Sequence, residues 1–195
     1  MTGTATLQKD TRTQILDVAE RLVQTRGFND FSYADIASEL AVTNAALHYH
    51  FRTKAALGDA VIERYAQRFF AALERIAAGS SDASTQIEAY IDLYREVLAA
   101  DRMCLCGVLA AEYPTLPDSM REAVQRFFDR NERWLVAVLE TGPENHRLNS
   151  ADSARDTARM IVDTLEGAVM IARAQHDPDR FRAVATRLLR TLHAG

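Results

Sequence analysis

Long apolar runs are missing from this 195-residue chain, and no stretch approaches the roughly 20 residues needed to cross a bilayer. Its first residues, MTGTATLQKDTR, lack the apolar core of a secretion signal, so a cytoplasmic location without a membrane partner is expected. Cysteine is scarce. The two present, Cys104 and Cys106, stand too close for a relaxed bridge within a helix and make no disulfide framework, which points to reduced thiols. Signatures of catalysis are missing as well: there is no glycine-rich phosphate loop, no G-x-S-x-G, no HExxH and no Glu-x-x-His pair of the kind helical di-metal enzymes need. A protein without enzymatic activity, bound metal or cofactor is expected. Strand-like alternation is nearly absent, as are internal repeats and low-complexity linkers. A net charge of -4 argues against a general polyanion binder.

What the chain does have is apolar residues at helical spacing along its whole length, with a hydrophobic content of 48% that rules out disorder. About nine helices are expected. Thr11 with Gln14 is read as the cap of the first, whose face is Ile15, Leu16, Ala19, Leu22 and Val23 and which stops at Gly27. After Thr53 a long helix carries Leu57, Val61, Ile62, Tyr65, Phe69, Leu73 and Ile76 as far as Gly79. Thr85 with Glu88 is read as the start of the next, with Ile87, Ile91, Tyr94 and Leu98 inward. A short apolar segment from Cys104 to Ala111 is closed by Pro114 and Pro117. Met120, Val124, Phe127, Trp134 and Val138 mark a further helix that stops at Gly142-Pro143. Two last helices follow, the second opened by Asp177-Pro178.

The stretch FSYADIASELAVTNAALHYHFRTKAAL, residues 31–57, is the most informative. Ser32 with Asp35 is a capping-box signature, and Tyr33, Ile36, Ala37 and Leu40 recur at helical spacing. Ala41-Val42 breaks the run. Thr43 then caps a second short helix whose apolar face is Leu47 and Phe51. Such a pair is a helix-turn-helix, whose second helix enters the DNA major groove by its N-terminal end. Thr43, Asn44, Ala45, Ala46, His48 and Tyr49 are left for that surface. Over the first 57 residues six basic side chains face six acidic ones, yet from Leu40 to Leu57 there are Arg52, Lys54 and two histidines and no acid. Positive charge is therefore local. Asn44 suits a bidentate pair with adenine, or else joins Thr43 in capping the helix. Tyr49 and Lys54 suit phosphate. His48 and His50, two apart on a helix, face different ways and make no metal pair.

At these residues the chain resembles the TetR family of transcriptional regulators. The likeness is carried by Ile15-Leu16-Asp17-Val18-Ala19, Gly27-Phe28, Ile36-Ala37, Val42-Thr43, Ala46-Leu47-His48-Tyr49-His50-Phe51 and Lys54-Ala55-Ala56-Leu57, and it is close over about the first 60 residues. What it implies is an all-α fold: a three-helix helix-turn-helix domain over residues 1–55 and a helical ligand-binding and dimerisation domain over residues 56–195. It further implies a homodimeric repressor, released from its double-stranded DNA operator by a small-molecule effector. By the same resemblance Ser32 and Tyr33 lie at the start of the helix that touches the DNA backbone. Thr43, Asn44, Ala45 and Ala46 open the recognition helix, His48 and Tyr49 flank the phosphates, Lys54 grips them, and His50 is a further DNA-binding candidate. Two positions depart from the pattern: Ala41 stands where a turn glycine is common, and His48 where tyrosine is frequent.

In the larger domain Tyr65, Phe69, Tyr90, Tyr94, Phe127 and Trp134 are candidates to line an effector pocket, with ordinary core as the alternative for each. The segment around Cys104 resembles one in a subgroup of these regulators in which a cysteine opens the sixth helix and answers electrophiles or oxidants. Cys104 and Cys106 are the candidate sensors, the Cys104 thiolate being favoured by the helix start and by Arg102. The alternative is that both are small hydrophobes. Small residues on the last two helices, and a short loop between them, predict a four-helix dimer interface using Ile161, Leu165, Gly167, Ala168, Ala172, Val184 and Leu188. A two-fold dimer predicts a partly palindromic operator. An architectural DNA-binding protein leaves the large second domain unexplained, and a pure redox sensor differs only in its signal.

Overall fold

A computed structural model describes residues 10–141 and 153–193. Among them are nine α-helices and no strand: α1 (Thr11–Arg26), α2 (Tyr33–Leu40), α3 (Asn44–His50), α4 (Lys54–Gly79), α5 (Ala83–Ala99), α6 (Leu105–Ala111), α7 (Asp118–Glu140), α8 (Ala154–Ala174) and α9 (Pro178–His193). A 3₁₀ turn at Tyr113–Thr115 separates α6 from α7. No helix of the described residues is long and apolar enough to cross a membrane. The stop expected at Gly142-Pro143 lies outside the described residues.

Local chemistry explains most boundaries. Thr43 and Thr53 each accept a backbone N–H three residues on, at 3.2 and 3.1 Å, and so start α3 and α4. The Asp177 carboxylate accepts from the N–H groups of Asp179 and Arg180, with Pro178 needing no partner at the first turn. Gly27 ends α1 at a φ of 96°, its N–H returned to the Val23 carbonyl. Two starts differ from expectation. α1 is capped by Asp10, which accepts from Arg12 N at 2.7 Å, and α5 by Asp82, which accepts from Thr85 N at 2.8 Å. A carboxylate takes these sites because it carries charge to the positive helix end; Thr13, not the expected Thr11, donates its hydroxyl to Asp10, and Thr85 donates its own to Asp82.

A continuous apolar core runs from α1 (Ile15, Ala19, Leu22) through α4 (Leu57, Ile62, Leu73) to α8 and α9 (Ile161, Leu165, Phe181, Leu192). The three N-terminal helices therefore pack onto the body rather than hang from it. Gln24 of α1 and Met103, just before α6, exchange hydrogen bonds, Nε2 to O at 3.0 Å and N to O at 3.3 Å. Arg173 of α8 donates to the Thr25 carbonyl at 3.2 Å, and Arg64 of α4 to Asp17 and Glu20 of α1. After α6, the Glu112 carboxylate accepts from the N–H groups of Phe28 and Asn29 at 2.6 and 3.3 Å, and from the Asn29 amide at 3.2 Å.

Candidate nucleic-acid interface and effector cavity

The α2–α3 pair is built from its caps inward. Asp35 accepts from both the N–H and the hydroxyl of Ser32, at 2.7 and 2.6 Å, and these bonds hold its carboxyl below the usual range. Ile36, Ala37, Leu47 and Phe51 are buried and fix the angle of the two helices. At the turn Ala41 adopts a left-handed conformation with φ of 53° and ψ of 41°. Where glycine is common this chain keeps an alanine, and it accepts the strain of roughly 1–2 kcal/mol that a Cβ brings there. Its N–H and that of Val42 close the turn on the Ser38 and Ala37 carbonyls.

This packing leaves one face of α3 open. Thr43, Asn44, Ala45, His48 and Tyr49 are exposed, Ala46 and His50 half so, and Tyr49 stands 85% exposed. The cap is made by Thr43 alone, and the Asn44 amide makes no hydrogen bond with a described residue. It is free to read an edge.

Two further candidates, Tyr33 and Lys54, turn inward. Tyr33 is half-buried, donates its hydroxyl to the Phe51 carbonyl at 2.8 Å and packs its ring 4.7 Å from that of His48. Burial pushes its hydroxyl pKa up. Lys54 points inward rather than outward as expected: its ammonium donates to the Phe31 carbonyl and lies 4.7 and 4.3 Å from the Phe28 and Phe31 ring centres. Desolvation there lowers its pKa, the opposite of a cation held ready in solvent. Arg52, at the end of α3, is instead an exposed cation whose guanidinium makes no hydrogen bond or ion pair with a described residue. Its place in the acid-free stretch was the available signal, but a helix-start lysine drew the assignment.

In the body, the candidate aromatics separate into core and cavity. Phe127 is the hub of the core, with Tyr65, Phe69 and Phe70 rings 5.0–5.8 Å away. Tyr90 is fully buried and stacks on Trp134 at 5.7 Å. Tyr65, Phe69, Tyr94 and Cys104 instead line a cavity of about 310 Å³ bounded by α1, α4, α5 and the entry to α6. Tyr90, Phe127 and Trp134 do not reach it.

Behind the cavity wall runs a buried polar chain that the sequence did not reveal. Asn131 donates to Tyr90 at 2.9 Å, the Tyr90 and Tyr94 hydroxyls lie 3.1 Å apart, and Tyr94 donates to Glu166 at 3.4 Å. The Glu166 stem is partly exposed, but its carboxyl bonds to Cys104 and fills the space a side chain at Gly107 would take. Desolvation raises its pKa to about 7. Tyr65 in turn donates to Cys104 Sγ at 3.6 Å.

Both cysteines are buried, and burial first, then the Glu166 charge, pushes both thiols well above their ordinary pKa. This reverses the expected thiolate at Cys104. Desolvation and a facing carboxylate outweigh a helix start, and no Arg102 contact offsets them. The dimer candidates also divide. Ile161, Leu165, Ala168 and Ala172 are buried inside the chain's own bundle, so they belong to its core. The outer stripe of α8 is Met160, Thr164, Gly167 and Ile171, one residue round, with Met160 38% and Ile171 39% exposed and open space at Gly167. Val184 of α9 edges the groove beside it, whereas Leu188, buried like the four above, forms part of its floor.

Comparison with known proteins agrees with this architecture. Residues 15–61 match the profile described as "Bacterial regulatory proteins, tetR family", and residues 83–188 that described as "Tetracyclin repressor-like, C-terminal domain". The HTH-type transcriptional repressor NemR of Escherichia coli is 28% identical over 177 residues, 85% of each chain. A TetR transcriptional regulator from Legionella pneumophila superposes with a TM-score of 0.87 at 32% identity, over 95% of this chain and 99% of that one. A regulator of the TetR family from Agrobacterium tumefaciens does so with a TM-score of 0.89 at 33% identity, over 93% and 97%.

Proposed function

Since this chain belongs to the TetR family of bacterial regulatory proteins, we propose that it is a homodimeric repressor freed from its operator by a small molecule. It is a DNA-binding transcriptional regulator and not an enzyme. The observation that carries the proposal is the open face of α3, where Asn44 is unengaged, Tyr49 stands clear and no acid interrupts. Residues 1–55 act as the reading head and residues 56–195 as the sensing and pairing body, at work in the cytoplasm. Asn44 reads a base edge; Ser32, Thr43, Ala45, Ala46, His48, Tyr49 and His50 approach the backbone, and Arg52 supplies the phosphate charge.

Two chains pair through the outer stripe of α8 with Val184 of α9, an apolar face unpartnered among the described residues. The pair sets two α3 helices about one DNA turn or somewhat more apart, so the operator is partly palindromic. The effector enters the cavity behind α1. Because that cavity adjoins Gln24 and Glu20, an occupant that prefers one placement of the head over another shifts operator affinity by that preference. The long helix α4, which runs from the head to the wall of this cavity, acts as the lever together with the α6–Glu112 attachment. Selecting bound duplexes from a random library tests the proposal: recovery of a symmetric motif supports it, and the absence of any preferred duplex at moderate ionic strength removes it.

A further inference from the structure

His48 stands where tyrosine is frequent, and the exchange replaces a neutral donor by a group that changes charge. It is exposed on α3, and its ring packs 4.7 Å from that of Tyr33 at the start of α2. Its Nδ1 lies 3.4 Å from the Arg52 carbonyl oxygen. A carbonyl only accepts, so Nδ1 carries a hydrogen and the tautomer of the neutral ring is fixed. Nε2 is then a bare acceptor, turned away across the ring and bonded to no described residue. For Nε2 to donate, the ring must take a second proton and become a cation.

The N-terminal end of a recognition helix meets base edges, whereas the first helix of the pair crosses the DNA backbone. His48 stands one turn beyond Asn44 and leans on that first helix, so its free edge falls on the side of the phosphates. The described residues around it supply no counter-charge. On α2, Asp35 is bonded to Ser32, Glu39 to Arg21, and Tyr33 gives its hydroxyl to the Phe51 carbonyl. On α3 itself His50 packs on Tyr49, and beyond it Arg52 is a free cation. Lys54 of α4 donates to the Phe31 carbonyl, and Arg12 of α1 lies over the Phe51 ring. No carboxylate of a described residue pairs with the imidazole. We propose that His48 is a proton-linked phosphate contact: held by the Arg52 carbonyl and Tyr33, its ring takes a proton from solvent on meeting DNA and donates Nε2–H to a phosphate oxygen. Operator affinity therefore rises as pH falls through the range in which imidazoles become charged, whereas a tyrosine there donates without changing charge. The contact rests on the DNA-binding face assigned above to α3.

The test titrates full-length protein with the selected duplex by calorimetry from pH 6 to pH 8, in buffers of differing ionisation enthalpy so that proton uptake is counted. Native protein is compared with His48→Gln and His48→Tyr, because Glu166 titrates in the same window and contributes alike to all three. From pH 8 to pH 6 the native protein gains roughly tenfold in affinity over either variant, the worth of one charge-assisted bond, and takes up about one more proton per chain. Circular dichroism shows unchanged helix content, the site being exposed. His176→Asn, on the exposed turn after α8 where asparagine suits the left-handed backbone, keeps the native profile. Equal pH profiles in the native protein and both variants overturn the proposal. So does a native protein that loses affinity relative to them as pH falls, as a neutral Nε2 accepting from a base amino group would require. Should both variants bind too weakly to titrate, Glu166→Gln decides in their place, and no proton uptake by it overturns the contact. Failure to bind any duplex at any pH removes the DNA-binding face itself, whereas binding with identical profiles removes only the proton link.

Discussion

Raising the pH should loosen this fold through one carboxyl, that of Glu166. Its native pKa is raised from 4.5 to about 7, first by desolvation. Between those values the unfolded chain has released its proton and the native chain has kept it, so the native state binds more protons and stability falls as pH rises. The loss starts above the unfolded pKa and is complete somewhat above 7. At 1.36 kcal/mol per pH unit the full effect is about 3 kcal/mol, and about 2 kcal/mol allowing for the partly wetted stem. The perturbation is Glu166→Gln, which keeps a partner for Tyr94 and Cys104 without a titrating group. Urea unfolding of both proteins is followed from pH 5 to pH 8.5 at one fixed chain concentration, because pairing would otherwise shift the midpoint. The variant should gain on the native protein through the window and hold a constant lead above it. A difference that is flat across the range, or that shrinks as pH rises, would refute the burial of a carboxyl whose desolvation outweighs its hydrogen bonds at this position.

Other expectations are direct. Asn44→Ala should relax discrimination at one operator base by about 1–3 kcal/mol, whereas Arg52→Ala should weaken all duplexes alike and lower the salt slope by about one. Competition gel shifts at two salt concentrations separate these. Ala41→Gly should stabilise the protein by roughly 0.5–1 kcal/mol in thermal unfolding, strain relief offset by backbone entropy; a loss would mean the turn is not left-handed. Maleimide labelling at pH 7, read by mass spectrometry, should be at least about tenfold slower at Cys104 and Cys106 than in unfolded protein, as burial and the Glu166 charge keep both thiols protonated. Ile171→Glu should give a monomeric mass by light scattering at micromolar concentration without lowering helix content, while Ile161→Glu should unfold the chain.

How much was legible beforehand depended on whether a signal was local. Ser32 with Asp35, Thr43, Thr53, Gly27 and Asp177-Pro178 act within a few residues of themselves, and each stands where expected. Asp10 and Asp82 were passed over for nearby threonines, because a hydroxyl and a carboxylate can both cap and their competition is settled in the folded helix. Lys54 needed knowledge of two rings, Phe28 and Phe31, brought in from another loop. On α8 the stripes 161/165/168/172 and 160/164/167/171 are adjacent, and helical periodicity marks an apolar face without saying which stripe turns to the chain's own bundle. Glu166 gave no sign, since a single acid in a helix carries no mark of its surroundings.

The clasp at Glu112 bears on how such a regulator can be re-engineered. Its carboxyl lies so near Gly27 that a Cβ there would meet Oε1 at 2.7 Å, and it holds Asn29 by both main chain and amide. A chimera that grafts a foreign N-terminal segment onto this trunk therefore inherits a fitting problem far from any DNA contact. Donors bearing glycine at 27 and asparagine at 29 should seat cleanly, and others should need Glu112 trimmed before the hybrid can respond at all.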